Sequence, residues 1–212
     1  IVLGKRFTLL AALWLWACIG HAQNETIDSL QSVLKNSTSS FKKYETLILL
    51  MQENAGQGAF EEALSFAREA EELAYKMGDS AKIVRCGRSG SLILGRLNRY
   101  PESADLAERV LPIAKRNSLD DEYKILLNTL GLAYTFQAKY DEALKYHFEN
   151  LELRKQEGDF KRVFHSLNNI GLLYFKLRNY ETALEFYKKT LEYRRYVEGD
   201  EARFLIDRKS VV

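Results

Sequence analysis

Apolar residues along this chain recur at helical spacing, in blocks that themselves recur. Leu127, Leu130 and Tyr134 share one helix face, and Leu144, His147, Leu151 and Leu153 continue a second helix after a short connection at Lys139-Tyr140. Forty residues later Leu167, Ile170, Gly171 and Tyr174 match Leu127, Leu130, Gly131 and Tyr134, while Ala183 matches Ala143. An aromatic residue marks the same point of each block, at Phe60, Tyr100, Tyr140 and Tyr180. Three of these precede an acidic residue directly and the fourth precedes Pro101-Glu102. A fixed period of this length predicts stacked helix-turn-helix hairpins, each too small to bury its own apolar face and covered by its neighbours.

The block edges carry their own chemistry. Asp120 and Asp121 are expected to cap the first helix of the third block, and Asp159 the first helix of the fourth. Asp141 and Glu142 suit the positive end of a helix macrodipole, and Gly158 suits a left-handed C-terminal cap. Pro112, inside the second helix of the second block, removes a backbone hydrogen bond and is expected to bend its last turns. Ile27, Leu30, Val33 and Leu34 predict a short amphipathic helix that covers the first block, with a polar break from Asn36 to Ser40.

The runs Leu130-Gly131-x-x-Tyr134 … Tyr140-Asp141-Glu142-Ala143 and Ile170-Gly171-x-x-Tyr174 … Tyr180-Glu181-x-Ala183 resemble tetratricopeptide repeats. The forty-residue spacing is similar to the long-repeat subclass that includes kinesin light chain. The match covers residues 41–200, with units at about 41–79, 80–119, 120–159 and 160–199, and it is weaker in the first two. There Met51 and Asn54, then Ser91 and Leu94, stand where Gly131 and Tyr134 stand in the third. The resemblance implies an all-α, right-handed α-solenoid of about four repeats, whose small residues let paired helices approach closely.

The termini change the picture of where such a stack resides. Lys5 and Arg6 precede an apolar run from Phe7 to Ile19, and Gly20-His21-Ala22 offers a cleavage site before Gln23, so residues 1–22 read as an export signal. Thirteen apolar residues fall short of the roughly twenty needed to span a bilayer. A lipoprotein reading, with Leu15-Trp16-Ala17 before Cys18, is the alternative. Removing the signal leaves 29 basic and 29 acidic side chains, so no electrostatic footprint for nucleic acid or an anionic membrane is expected. Cys86 is then the one remaining cysteine and is expected as a buried free thiol. The chain begins at Ile1, and Glu201 to Asp207 resembles the opening of another helix within 201–212, so a fragment of a longer protein is expected. Phe186, Tyr187 and Leu191 would be partly uncovered without further sequence.

Candidate chemistry is sparse. His147 and His165 are eighteen residues apart, and His147 reads as a satisfied core histidine. No Cys/His spacing suits zinc and no glycine-rich phosphate loop occurs, so neither a catalytic role nor a cofactor or metal is expected. Gly87-Arg88-Ser89-Gly90 lies within a helix and serves close packing better than a nucleophile elbow.

What remains is binding. In tetratricopeptide stacks the first helix of each pair lines the concave face, and helical spacing then groups Arg85, Arg88, Leu92 and Gly95; Ile125, Asn128, Leu132 and Thr135; and His165, Asn168, Leu172 and Phe175. The resemblance implies that Asn128 and Asn168, forty apart, bracket the backbone of an extended peptide, since an amide both donates and accepts. Arg85 and Arg88 would attract acidic side chains or a carboxylate. The alternative is that these asparagines bond between neighbouring helices and the arginines are solvated surface. Tyr100, Tyr140 and Tyr180 are assigned to packing at the helix turns.

Exported chains of this kind resemble the sensor regions of bacterial membrane histidine kinases and related regulators. The expected function is therefore an exported scaffold that binds a protein or extended peptide as the input part of a signalling protein. The repeats themselves would not contact a membrane, though on this reading a membrane-spanning region follows Val212. A freestanding periplasmic assembly scaffold and the non-catalytic part of a truncated enzyme are the alternatives.

Overall fold

The computed structural model describes residues 25–197, and every described element is helical. The export signal at 1–22 and the further helix expected within 201–212 lie outside the described residues. After α1 (25–36) come α2 (Ser40–Gly56), α3 (Phe60–Met77), α4 (Ser80–Arg96), α5 (Tyr100–Arg116), α6 (Asp120–Phe136), α7 (Tyr140–Glu157), α8 (Phe160–Lys176) and α9 (Tyr180–Glu192). A short 3-10 turn, Arg194–Tyr196, follows. From α2 onward a helix therefore begins every twenty residues, and the forty-residue period is one A helix (α2, α4, α6, α8) plus one B helix (α3, α5, α7, α9). The chain is a helical-repeat solenoid in class, and it divides into two compact units, Ile1–Cys86 and Gly87–Val212, with the boundary inside α4.

One turn geometry sets this cadence. Positions 58, 78, 98, 118, 138, 158 and 178 all have positive φ, between 52° and 79°. At each, the next residue's N–H bonds five residues back and the residue's own N–H bonds three back; Asp159 N reaches Arg154 O at 3.0 Å and Gly158 N reaches Lys155 O at 3.1 Å. This double closure is a Schellman motif, which satisfies the orphan carbonyls at a helix end. Glycine occupies Gly58, Gly78 and Gly158, but Asn98, Ser118, Ala138 and Arg178 hold the same conformation. The closure also fixes where the next helix starts. Leu119 therefore takes the cap position of α6 without a side-chain bond, and Asp120 and Asp121 enter the first turn instead of capping it. Asp159 does cap α8, accepting from Arg162 N at 3.2 Å. Pro112 sits inside α5, which runs on to Arg116 as one helix.

In the first unit Tyr44, Ile48 and Leu50 of α2 pack with an alanine stripe of α3, Ala63, Ala67, Ala70 and Ala74, all essentially inaccessible to solvent. Cys86 is a buried free thiol whose Sγ lies 3.8 Å from Tyr44 Oη, and burial pushes it up to about 11. Ile27, Leu30, Val33 and Leu34 are the half-buried positions of α1.

In the second unit the core runs through Leu126, Leu127 and Leu130 of α6 and Val163, Phe164, Leu167 and Ile170 of α8. Close approach of A to B helices is visible at three glycines. A Cβ at Gly87 would stand 2.5 Å from Val110 Cγ1, at Gly131 2.6 Å from the His147 ring, and at Gly171 2.8 Å from the Tyr187 ring. On α9, Phe186 and Tyr187 are half-buried and Leu191 is exposed, while Val197 turns back onto Phe164.

Candidate functional site

The A helices of the second unit carry a repeated surface. Leu92, Leu132 and Leu172 occupy one register position of α4, α6 and α8; the first two are exposed and the third half-buried. Phe175 is exposed one turn further along α8 and packs edge-on to Tyr180 at 5.5 Å between ring centroids. Asn128 is half-buried and Asn168 is 7% exposed. Neither amide makes a hydrogen bond to any described residue. Ile125 is half-buried, and Thr135 bonds its hydroxyl to Gly131 O at 2.6 Å.

The cations of the predicted site part company. Arg88 is held by Glu122 at the start of α6, with Nε 2.5 Å from Oε2, so its charge is already matched. Arg85 is half-buried and belongs to the first unit. His165 is half-buried, edge-on to Phe164 at 5.6 Å.

A cavity of about 470 Å³ lies within the second unit, formed by α4, α5 and α6. Leu92 and Gly95 of α4 and Leu132 of α6 line it together with Tyr100, Phe136, Arg96 and Asn98. Tyr100 stacks on Phe136 with centroids 4.5 Å apart and planes 10° from parallel. Sequence reasoning assigned Tyr100 to packing and passed over Phe136. Phe136 shares its register with Arg96 and Lys176, so the repeat itself marks it as surface, and an aromatic at a surface register was the available signal. Its exposure is 63%.

The hydroxyls around the cavity are spoken for. Ser103 Oγ donates to Ser91 O at 2.7 Å, Ser91 Oγ to Arg88 O at 2.8 Å, and Thr129 Oγ1 to Ile125 O at 2.9 Å. With their protons committed, these groups offer an entering group no donor. The rim differs. Arg96 makes no ion pair with a described residue, and Asn98 accepts the Tyr100 hydroxyl on Oδ1 at 2.7 Å, which leaves its NH₂ donors outward.

A second polar group is buried outside the lining of this cavity. His147, Asn150 and Arg154 form an inward stripe along α7, at 1%, 3% and 5% exposure. His147 is in the core as expected, but it is not satisfied, since neither ring nitrogen has a hydrogen-bond partner. Its ring fills the space over Gly131, against a helix backbone whose carbonyl at 131 already serves Thr135. Burial holds the imidazole well below its usual range, at about 4, against a smaller opposing pull from the Gly131 backbone. Lys124, at the core register of Val84 and Phe164, pairs with Asp121 at 3.1 Å and with Glu157. Burial lowers its affinity for the proton, yet those two carboxylates outweigh it and the net shift is upward. Arg154 pairs with Asp159 at 3.1 Å. Among the described residues no cluster of His, Cys, Asp and Glu is placed to hold a metal ion, and no helix is long and apolar enough to cross a membrane.

Comparison with known proteins agrees with this architecture. The tetratricopeptide-repeat model matches residues 121–196. The crystal structure of BtubC from P. vanneervenii is similar at TM-score 0.71 and 20% identity, covering 87% of this chain and 82% of that one. Nearly identical TPR-like repeats of a putative kinesin light chain from Podospora anserina align at TM-score 0.70 and 14% identity, over 82% of this chain and 88% of that one. A Rap protein complexed with competence and sporulation factor aligns at TM-score 0.65 and 14% identity, over 85% of this chain and 52% of that one. No curated protein matches the chain. The glycine-to-ring packing at Gly131 and Gly171, the helix cadence and the matched segment lead to one conclusion: residues 121–196 match the tetratricopeptide-repeat family, and the described helices share the fold of such repeats.

Proposed function

We propose that the chain is an exported tetratricopeptide-repeat scaffold that binds a protein or extended peptide along the A-helix face of its second unit, as the input part of a bacterial signalling protein. One observation carries the binding reading. Asn128 and Asn168, at the same register of α6 and α8, keep amides without a hydrogen-bond partner among the described residues. An amide that bonded between helices would have given up its donors and acceptor; these retain both for a peptide group. The surface leucines of the same helices add apolar contact, and a fold-level neighbour solved in complex with competence and sporulation factor lends the reading support by analogy. Export rests on the pattern from Lys5 to Ala22.

A display library of short random peptides, panned against the whole chain, tests the binding reading. Peptides recovered by the native protein should be lost by the double variant Asn128→Ala/Asn168→Ala, with thermal unfolding held. Parallel loss of stability would assign both residues to the scaffold. Residues 1–30 fused to a phosphatase that works only outside the cytoplasm test export: enzymatic colour is the expected result, and its absence removes the exported location.

A further inference from the structure

We propose that the cavity between α4, α5 and α6 is the anchor pocket of this scaffold, and that it takes a peptide presenting one bulky apolar side chain beside a carboxylate. The inference rests on the peptide-binding reading above and names the chemistry of the partner. Four apolar side chains form the wall: Leu92 and Leu132, at one register of successive A helices, and the stacked pair Tyr100 and Phe136. Each is wholly or partly open to solvent, which for Phe136 amounts to 63% of its surface. The hydroxyls of Ser91, Ser103 and Thr129 are all donated to backbone carbonyls, so a hydrogen-bond acceptor entering the cavity would lose water and find no donor among them. An apolar group loses nothing. The volume of about 470 Å³ lies within the range of pockets that enclose a ligand group, roughly 300–1,000 Å³.

The rim selects the neighbour of that side chain. Arg96 and Asn98 stand two residues apart at the end of α4 and both offer donors: the guanidinium has no carboxylate partner among the described residues, and the Asn98 oxygen already accepts the Tyr100 hydroxyl while its NH₂ makes no bond to a described residue. Two adjacent donors with one net positive charge fit a carboxylate. Arg88, eight residues earlier, cannot serve this purpose because Glu122 already neutralises it. Charge complementarity at the mouth therefore comes from Arg96.

Gly95 makes the pocket testable without unfolding the protein. A Cβ there would meet only Ser103 Oγ, at 4.0 Å, so Gly95→Leu extends into the cavity without a backbone clash. Leucine also favours a helix interior where glycine disfavours it, so thermal stability should hold or rise. Three synthetic Gly-Ser octapeptides serve as probes beside the display library, carrying Phe-Asp, Phe-Lys or Ser-Asp at the centre. Library peptides should be enriched in a large apolar residue next to Asp or Glu, and the Phe-Asp probe should bind best. Gly95→Leu should weaken it roughly tenfold or more, about the effect of losing a buried anchor. Arg96→Glu should reverse the preference toward Phe-Lys. Enriched peptides that Gly95→Leu binds as well as the native chain would overturn the anchor pocket while leaving peptide binding intact. Recovery of no peptide would remove both readings. A dimer of the native chain that Gly95→Leu dissolves would make a second copy the occupant and overturn the peptide.

Discussion

The α4–α5 and α6–α7 pairs solve one packing problem in opposite ways. At the register where A and B helices come nearest, α4 has Ser91 and α5 has Ala107; α6 has Gly131 and α7 has His147. A small B residue admits a serine on the A helix, and a large ring demands a glycine. The rest of the B-helix stripe follows suit. α5 buries Ala107, Val110 and Ala114, whereas the same positions of α7 are His147, Asn150 and Arg154. Where α5 carries Val110, the close approach moves one turn along α4, to Gly87. The two pairs therefore differ along the B helix in both side-chain size and polarity. The lesson is that this repeat tolerates a bulky, polar B-helix stripe where the facing A helix makes room at Gly131, at the expense of leaving His147 without hydrogen bonds.

The largest expected effect breaks the comparison by acid. His147 sits at about 4 in the folded chain, below the 6.5 of a free imidazole, so the unfolded state binds the extra proton between these values. Stability from this group is complete above pH 6.5 and falls as pH drops toward 4, by about 3 kcal/mol. Urea unfolding at pH 7 and pH 4.5 should show the loss, and His147→Ala should abolish most of that pH dependence. Equal slopes in both would place the acid sensitivity elsewhere.

A steric break comes next. Gly131→Ala drives a methyl against the His147 ring and should cost about 2 kcal/mol, in the range of overpacked cores. Adding His147→Ala converts the pair to the α4–α5 solution, and the double variant should recover part of that loss. A double variant no better than the sum of its parts would mean the two sites are independent.

The smallest effect sharpens the comparison at the turns. Ala138 and Gly158 share one left-handed conformation, with φ of 59° and 71°. Ala138→Gly should stabilise, and Gly158→Ala destabilise, each by about 1 kcal/mol, read from thermal unfolding.

These elements also show what a sequence reveals. The helix cadence was legible because the aromatic register and the core leucines repeat at forty residues, and the close approach of α6 to α7 was readable from Gly131. The uniform turn was only half legible: Gly78 and Gly158 advertise it, while Ser118 and Arg178 reach the same φ within the same pair of backbone hydrogen bonds, with no residue type to mark it. The caps at Asp120 and Asp121 were misplaced because the turn, not the side chain, decides where α6 begins. On the candidate site, Leu92 and Leu132 followed from helical spacing. The stack of Tyr100 on Phe136 joins residues thirty-six apart across two helices, and no local pattern announces such a meeting. The pairing of Arg88 with Glu122 was hidden for the same reason.

The twenty-residue turn also bears on how such a chain grows or shrinks. Every clip from α2 to α9 has the same geometry, so a cut before Asp120 and another before Phe160 leave ends that meet in the same way as the originals. Gly131 with His147, and Gly171 with Tyr187, each lie inside one forty-residue block. A block copied or deleted at those seams carries its own matched lock and key, and heredity can edit the array a whole cassette at a time.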